Sequence, residues 1–128
     1  MELGVEVLAC VTRHWMRDED WVDLYNWWSS KTPIVVFSIA GFDDLAPEGP
    51  ETNRAIANNL VSALAGFYGD VEAHQKGPKT CPLWFDHERS FETLISQQKF
   101  DARCRKSLKA KLGKSKKLDA LESLLKLF

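Results

Sequence analysis

Pro50 and Gly69 bracket the stretch that most limits what this chain can become, because between them Ile56, Leu60, Leu64 and Phe67 recur at helical spacing. Proline suits a first helical turn, where its missing N–H costs nothing, and glycine tolerates the left-handed conformation that ends a helix. A helix is therefore predicted from about residue 51 to residue 69, with that stripe as its core side. Just upstream, residues 33–40 (PIVVFSIA) are apolar on both faces, the pattern of a strand buried in the middle of a sheet. A buried strand leading into a long amphipathic helix within 128 residues describes one α/β domain with a single core.

The other segments extend this frame. Residues 3–12 set Val5, Val7, Ala9 and Val11 against Leu8 and Cys10, an alternation that predicts a strand. After the acidic run 18–20, Trp21, Leu24, Tyr25 and Trp28 fall at i, i+3, i+4 and i+7, which predicts a helix between the two strands. Residues 41–50 and 74–80 are rich in turn formers and read as loops, and CPLWF at 81–85 reads as a turn or a short extended piece. Three more helices follow: one over 86–97 capped by Asp86, one carrying Phe100, Cys104, Leu108 and Leu112 up to Gly113, and one over 116–128. The expected fold is α/β, with a small mixed sheet packed with helices in the first half and a helical second half.

Charge divides the chain in two. Residues 100–128 carry nine Lys and Arg against three acids, a net +6, whereas the first 99 residues carry a net −7. The predicted organisation is a single domain over 1–128, made of an acidic α/β body (1–99) and a basic helical extension (100–128). Such a tail can lie on its own body, on a second copy, or on an anionic partner. No aromatic residue is interleaved within 103–117 to stack on bases, so nucleic acid would be bound there through charge alone. No apolar run approaches the ~20 residues of a membrane span, and the first residues lack a basic, apolar leader. Cysteines at 10, 81 and 104 make no disulfide framework, so reduced thiols and a cytoplasmic location are expected, with no membrane partner.

The chemistry on offer is thin. There is no G-x-S-x-G elbow, and Gly66-Phe67-Tyr68-Gly69 lacks the Lys-Ser/Thr of a phosphate loop. His74, Cys81, His87, Asp101 and Cys104 are all metal-ligand types within 31 residues, yet no two stand at C-x-x-C or H-x-x-x-H spacing. Cys104, on the Phe100/Leu108 stripe, reads most simply as a small buried apolar residue against which Cys81 packs. Trp27, off the predicted helical stripe, and Trp15, beside a charged run, are candidate surface anchors.

One spacing carries a family resemblance. Cys81-Pro82-Leu83, seventeen residues, then Asp101-Ala102-Arg103-Cys104 resembles the end of the archaemetzincin signature, C-x-M, seventeen residues, C-x-x-C. Archaemetzincins are zinc peptidases whose upstream motif, H-E-x-x-H-x-x-G-x-x-H-C, lies on a helix. Here Leu83 stands for the methionine and Asp101 for the first knuckle cysteine. With Gly69 on the signature glycine, Ser62, Ala63, Gly66 and Glu72 fall where three histidines and the catalytic glutamate belong, and Ala73 falls on the following cysteine. His74 reaches the third-ligand position only in a shifted register.

The resemblance thus implies a metzincin-like reduced scaffold that has lost both its zinc histidines and its base, a pseudo-peptidase rather than an enzyme. What it implies for function is a non-catalytic interaction or regulatory module, binding a protein partner or a second copy of itself through Trp27, Arg105, Lys109, Leu125 or Phe128. No cofactor is expected and no metal is favoured; the one set available to an ion is His74, Cys81, Asp101 and Cys104. The alternative is a hydrolase, metal-dependent or Cys/His, with a site rebuilt around His74, Cys81 and His87, with Glu72 nearby.

Overall fold

A computed structural model describes residues 6–19, 24–29, 31–42, 50–69, 73–85 and 90–128. Three strands, β1 (Leu8–Thr12), β2 (Asn26–Ser29) and β3 (Thr32–Ser38), form a mixed sheet in the order β1-β3-β2. The central strand β3 runs parallel to β1 and antiparallel to β2, with Leu8 opposite Ile34 and Trp27 opposite Val36. Four helices follow among the described residues: α1 (Pro50–Gly69), α2 (Phe91–Ser96), α3 (Ala102–Leu112) and α4 (Lys117–Leu125). The α/β class, the mixed sheet and the helical second half therefore stand as expected.

The segment holding Leu24 and Trp28 departs from its predicted helix. Leu24 N–H donates to the Met16 carbonyl at 2.9 Å, and residues 26–29 hydrogen-bond to β3 as a strand. Aromatic residues favour a pleated, half-buried surface, and the adjacent pair Trp27 and Trp28 sends one ring to each face. Trp27, opposite Val36, is 43% exposed, whereas Trp28, opposite Val35, turns toward α1. Trp21, the start of the predicted stripe, lies outside the described residues, as do Asp86 and His87.

Helix α1 is sandwiched between the sheet and the helices α3 and α4, which explains a second difference. Its fully covered residues are mostly small or polar (Ala55, Asn58, Asn59, Ala63, Ala65, Gly66), while the predicted stripe Ile56, Leu60, Leu64 and Phe67 is only half-buried. Small side chains let the sheet approach the helix backbone closely. Asn59 uses that proximity: its amide donates to the carbonyls of Tyr25 and Ser38 at 3.2 and 3.0 Å and its oxygen accepts from Asn26 at 3.0 Å. A buried amide satisfied in this way ties β2 and β3 to one helix position.

Gly66 is the tightest point of the sandwich. A Cβ there would run into the indole of Trp28. Gly66→Ala is expected to destabilise the fold by about 1–3 kcal/mol, the usual cost of overpacking a filled core. Thermal or denaturant unfolding checks this, and an unchanged midpoint would mean that the indole moves freely.

On its other side α1 contributes Val61 and Ala65 to a core completed by Cys81, Leu83, Phe100, Cys104, Leu108, Leu118, Leu121 and Leu125. A second cluster joins Tyr25, Phe42, Ala55, Phe91 and Leu94, with the Phe42 ring edge-on to Tyr25 and Phe91 at centroid distances of 6.0 and 5.5 Å. The basic C-terminal segment thus lies on its own body. Lys117 pairs with Glu6 and sits over the Tyr68 ring at 4.9 Å, and Arg54 donates to the Phe128 carbonyl at 2.8 Å. Leu125, a sequence candidate for surface interaction, is 2% exposed and belongs to the core. Its stripe neighbours Leu118 and Leu121 bury it because α4 docks on α1. No helix among the described residues is long and apolar enough to cross a membrane.

Candidate metal centre

The loop from residue 73 to residue 85 closes on itself. His74 N–H donates to the Leu83 carbonyl at 2.9 Å and Phe85 N–H donates back to the His74 carbonyl at 2.7 Å, so His74 and Trp84 form a short parallel bridge. Between them the chain turns twice: at Gly77, whose φ of +89° is the left-handed conformation glycine accepts, and in the turn 78–84, where Trp84 N–H reaches the Cys81 carbonyl at 2.9 Å. These bonds hold His74 and Cys81 on one side of the loop.

Asp101 and Cys104 come together for a different reason. Asp101 is the N-cap of α3, with its Oδ1 accepting from the Cys104 backbone N–H at 2.7 Å. An N-cap side chain reaches the third helical residue as a matter of geometry, so D-x-x-C at a helix start places carboxylate beside thiol. Gly113, at φ +55°, ends the same helix. Cys104 and Leu108 bury one face of α3 and, with Phe100 just before it, seat the helix against the loop.

The result is a four-group cluster: one donor atom from each of His74, Cys81, Asp101 and Cys104, all within 4.8 Å of one another. Donors around a tetrahedral zinc ion are about 3.5 Å apart, given metal–ligand bonds of about 2.0–2.3 Å. A modest contraction would complete that shell. The four groups that spacing left scattered along the sequence are neighbours in space. His87 and Glu72, the other groups of the hydrolase alternative, lie outside the described residues.

Hydrogen bonding fixes what each group presents. His74 Nδ1 lies 2.7 Å from the Lys76 carbonyl, which can only accept, so Nδ1 carries the ring proton. Nε2 is left facing Asp101 Oδ2 at 3.2 Å, buried and without a hydrogen-bond partner. At that separation a proton or a metal cation between the two atoms would each account for the contact. A carbonyl on the far nitrogen is also the usual outer support of a metal-binding histidine.

Burial opposes the charge of Asp101, but hydrogen bonds from Cys104 and the nearby His74 outweigh it and hold its carboxyl below the ordinary value. Burial, foremost, pushes both thiols up, and at Cys104 the neighbouring Cys81 and Asp101 add to the rise. Without a cation both cysteines therefore remain thiols, poor nucleophiles in this setting.

A cavity of about 390 Å³ opens beside the cluster, lined by His74, Asp101 and Cys104 and by Lys76, Arg103 and Ser107. Cys81, fully buried, does not line it. A divalent ion with two thiolates, one carboxylate and a neutral imidazole leaves one net negative charge, which the Lys76 and Arg103 side chains are placed to offset.

The helix face that the resemblance marks as a former peptidase centre looks different. Gly66 is covered by the Trp28 indole, Ala63 is fully buried, and Ser62 borders a cleft of only about 50 Å³. Of the other candidates, Trp27 and Phe128 are each 43% exposed. Lys109 is exposed, and Arg105 is exposed and bound through two nitrogens to Glu122 at 3.2 Å. Sequence reading missed the Lys76 carbonyl and the cavity, since neither a backbone acceptor nor a void leaves a residue signature. It missed the capping role of Asp101 too, although the residue's place before a helical stripe signals it. Comparison with protein-family models, with curated proteins and with solved structures finds no match to this chain.

Proposed function

We propose that this chain is a metal-braced, non-catalytic interaction domain in which His74, Cys81, Asp101 and Cys104 hold one divalent ion of the zinc class. The observation that carries the reading is the convergence of four metal-ligand types within 4.8 Å, with His74 Nε2 aimed at Asp101 Oδ2 at 3.2 Å beside two thiols. Two sulfur ligands disfavour magnesium and calcium, and a mixed N/S/O set suits zinc. This reverses the metal-free preference of the sequence, which named the same four residues as the set available to an ion but favoured no metal because the knuckle was incomplete. Four protein ligands leave no position for an activated water, so the ion's contribution is a cross-link between the 74–81 loop and the start of α3.

The archaemetzincin resemblance is carried by spacing alone; with no imidazole at Ser62 or Gly66 and the Trp28 indole over Gly66, the reading includes no peptidase chemistry on this helix. The sheet face turned away from α1 exposes Leu8, Trp27 and Ile34, which favours work through a protein partner or a second copy. The competing hydrolase draws on the cavity that touches three of the four donors, but its nucleophile Cys81 does not face that cavity.

Elemental analysis tests the reading. The purified chain is expected to hold about one equivalent of zinc, and Cys81→Ser or Cys104→Ser to weaken binding by more than the roughly 10–100-fold typical of outer-shell changes. Zinc content well below one equivalent after reconstitution, or retained undiminished in both variants, would overturn it. Ester or peptide hydrolysis by the zinc-loaded chain, lost in Cys81→Ser, would favour the hydrolase.

A further inference from the structure

Two cysteines in one metal shell form a reducing centre as well as a binding one, and the cavity exposes them unequally. Cys104, 4% exposed, is a lining residue of the opening of about 390 Å³, whereas Cys81, at 0%, is not. The two sulfurs are within 4.8 Å of each other, and a disulfide needs about 2.05 Å. Cys81 sits in a turn of the 74–85 loop, not inside a helix, so the closing movement falls on the loop. Cys10, on the sheet, is not a member of the cluster.

We infer that the site is a peroxide-responsive metal switch in which Cys104 is oxidised first and Cys81 resolves it, expelling the ion. The inference rests on the metal-holding reading above. The Cys104 thiolate, reached through the cavity, attacks one oxygen of a hydroperoxide; the S–O bond forms, the O–O bond breaks, and hydroxide (or alkoxide) leaves. Lys76 and Arg103 on the cavity wall supply the positive surroundings for that departing anion. The Cys81 thiolate then attacks the Cys104 sulfenic sulfur, forming the S–S bond as the S–O bond breaks and a second hydroxide departs. The two thiolates lose two electrons to the peroxide, and the divalent ion leaves without changing oxidation state. His74 and Asp101 alone make a weak pair of ligands, so oxidation frees the ion and loosens α3 from the loop.

The test starts from chain whose zinc content has been measured, in wild type and in Cys10→Ser. Hydrogen peroxide is titrated in with a chromophoric zinc indicator present, and intact mass is followed in parallel. Release of zinc with a loss of about two mass units, in both proteins and reversed by a dithiol reductant, is the expected result. With a sulfenic-acid trap present at low peroxide, the adduct is expected on Cys104. Zinc that stays bound through full oxidation, zinc released without the Cys81–Cys104 bond, or an adduct first on Cys81 overturns the switch and leaves the metal reading intact. Chain that holds no zinc at the outset overturns both.

Discussion

Stripping the ion with a strong chelator will lower the midpoint of thermal unfolding by roughly 10–20 °C, and returning zinc will restore it. A ligand bound only by the native state stabilises it by about 4 kcal/mol when present at a thousand times its dissociation constant. For a chain of this size about 1 kcal/mol corresponds to roughly 3–5 °C. The effect should be large because the proposed ion would add four bonds between two segments otherwise joined by weaker contacts, among them His74 with Asp101 at 3.2 Å. The loop also meets the chain leading into α3 through shared burial in the core, Lys99 N–H on the Thr80 carbonyl at a long 3.3 Å, and Gln97 on the Trp84 carbonyl at 3.1 Å.

Magnesium should not restore the lost stability, since it avoids thiolate ligands. A midpoint unchanged by chelation, measured on chain shown to have lost its zinc, would remove the brace.

How much of this was legible beforehand depended on the range of the interaction. Local rules were enough for α1, bounded by Pro50 and Gly69, and for the stripe and the Gly113 stop of α3, whose start at Asp101 the structure adds. They failed at residues 24–29, where a helical and a pleated reading both place Trp28 inward and only pairing with β3 decides. They also misjudged which face of α1 is buried, because Asn59 and Gly66 owe their burial to the sheet pressing on them and not to their own polarity.

The candidate site divides along the same line. Asp101 and Cys104 are brought together by a capping rule that spans three residues, and the sequence carries it plainly. His74 and Cys81 meet them through a loop closed by backbone hydrogen bonds at His74, Leu83 and Phe85, which no residue pattern announces. In the candidate group 74, 81, 101 and 104 only the 101–104 pair has the spacing by which metal sites are recognised in sequences, and there a carboxylate replaces the first cysteine.

Asp101 carries two roles on two oxygens, and substitutions can separate them. Oδ1 caps α3 and Oδ2 faces the cluster. Asp101→Asn keeps a good cap but loses the anionic ligand, so the metal-free stability should stay within about 0.5 kcal/mol of wild type. Its zinc affinity should nevertheless fall roughly tenfold or more. Asp101→Ala loses both, and its metal-free form should drop by a further 0.5–2 kcal/mol, roughly the worth of an N-cap. Asp101→Cys reverses the balance: the cap weakens, while a third thiolate strengthens the hold on a soft ion. With cobalt(II) in place of zinc, thiolate-to-metal absorption should rise by roughly half, in step with three sulfur ligands instead of two. An Asn variant that binds zinc as tightly as wild type would reduce Asp101 to a cap. An Asp101→Cys variant with unaltered cobalt absorption would place the ion elsewhere.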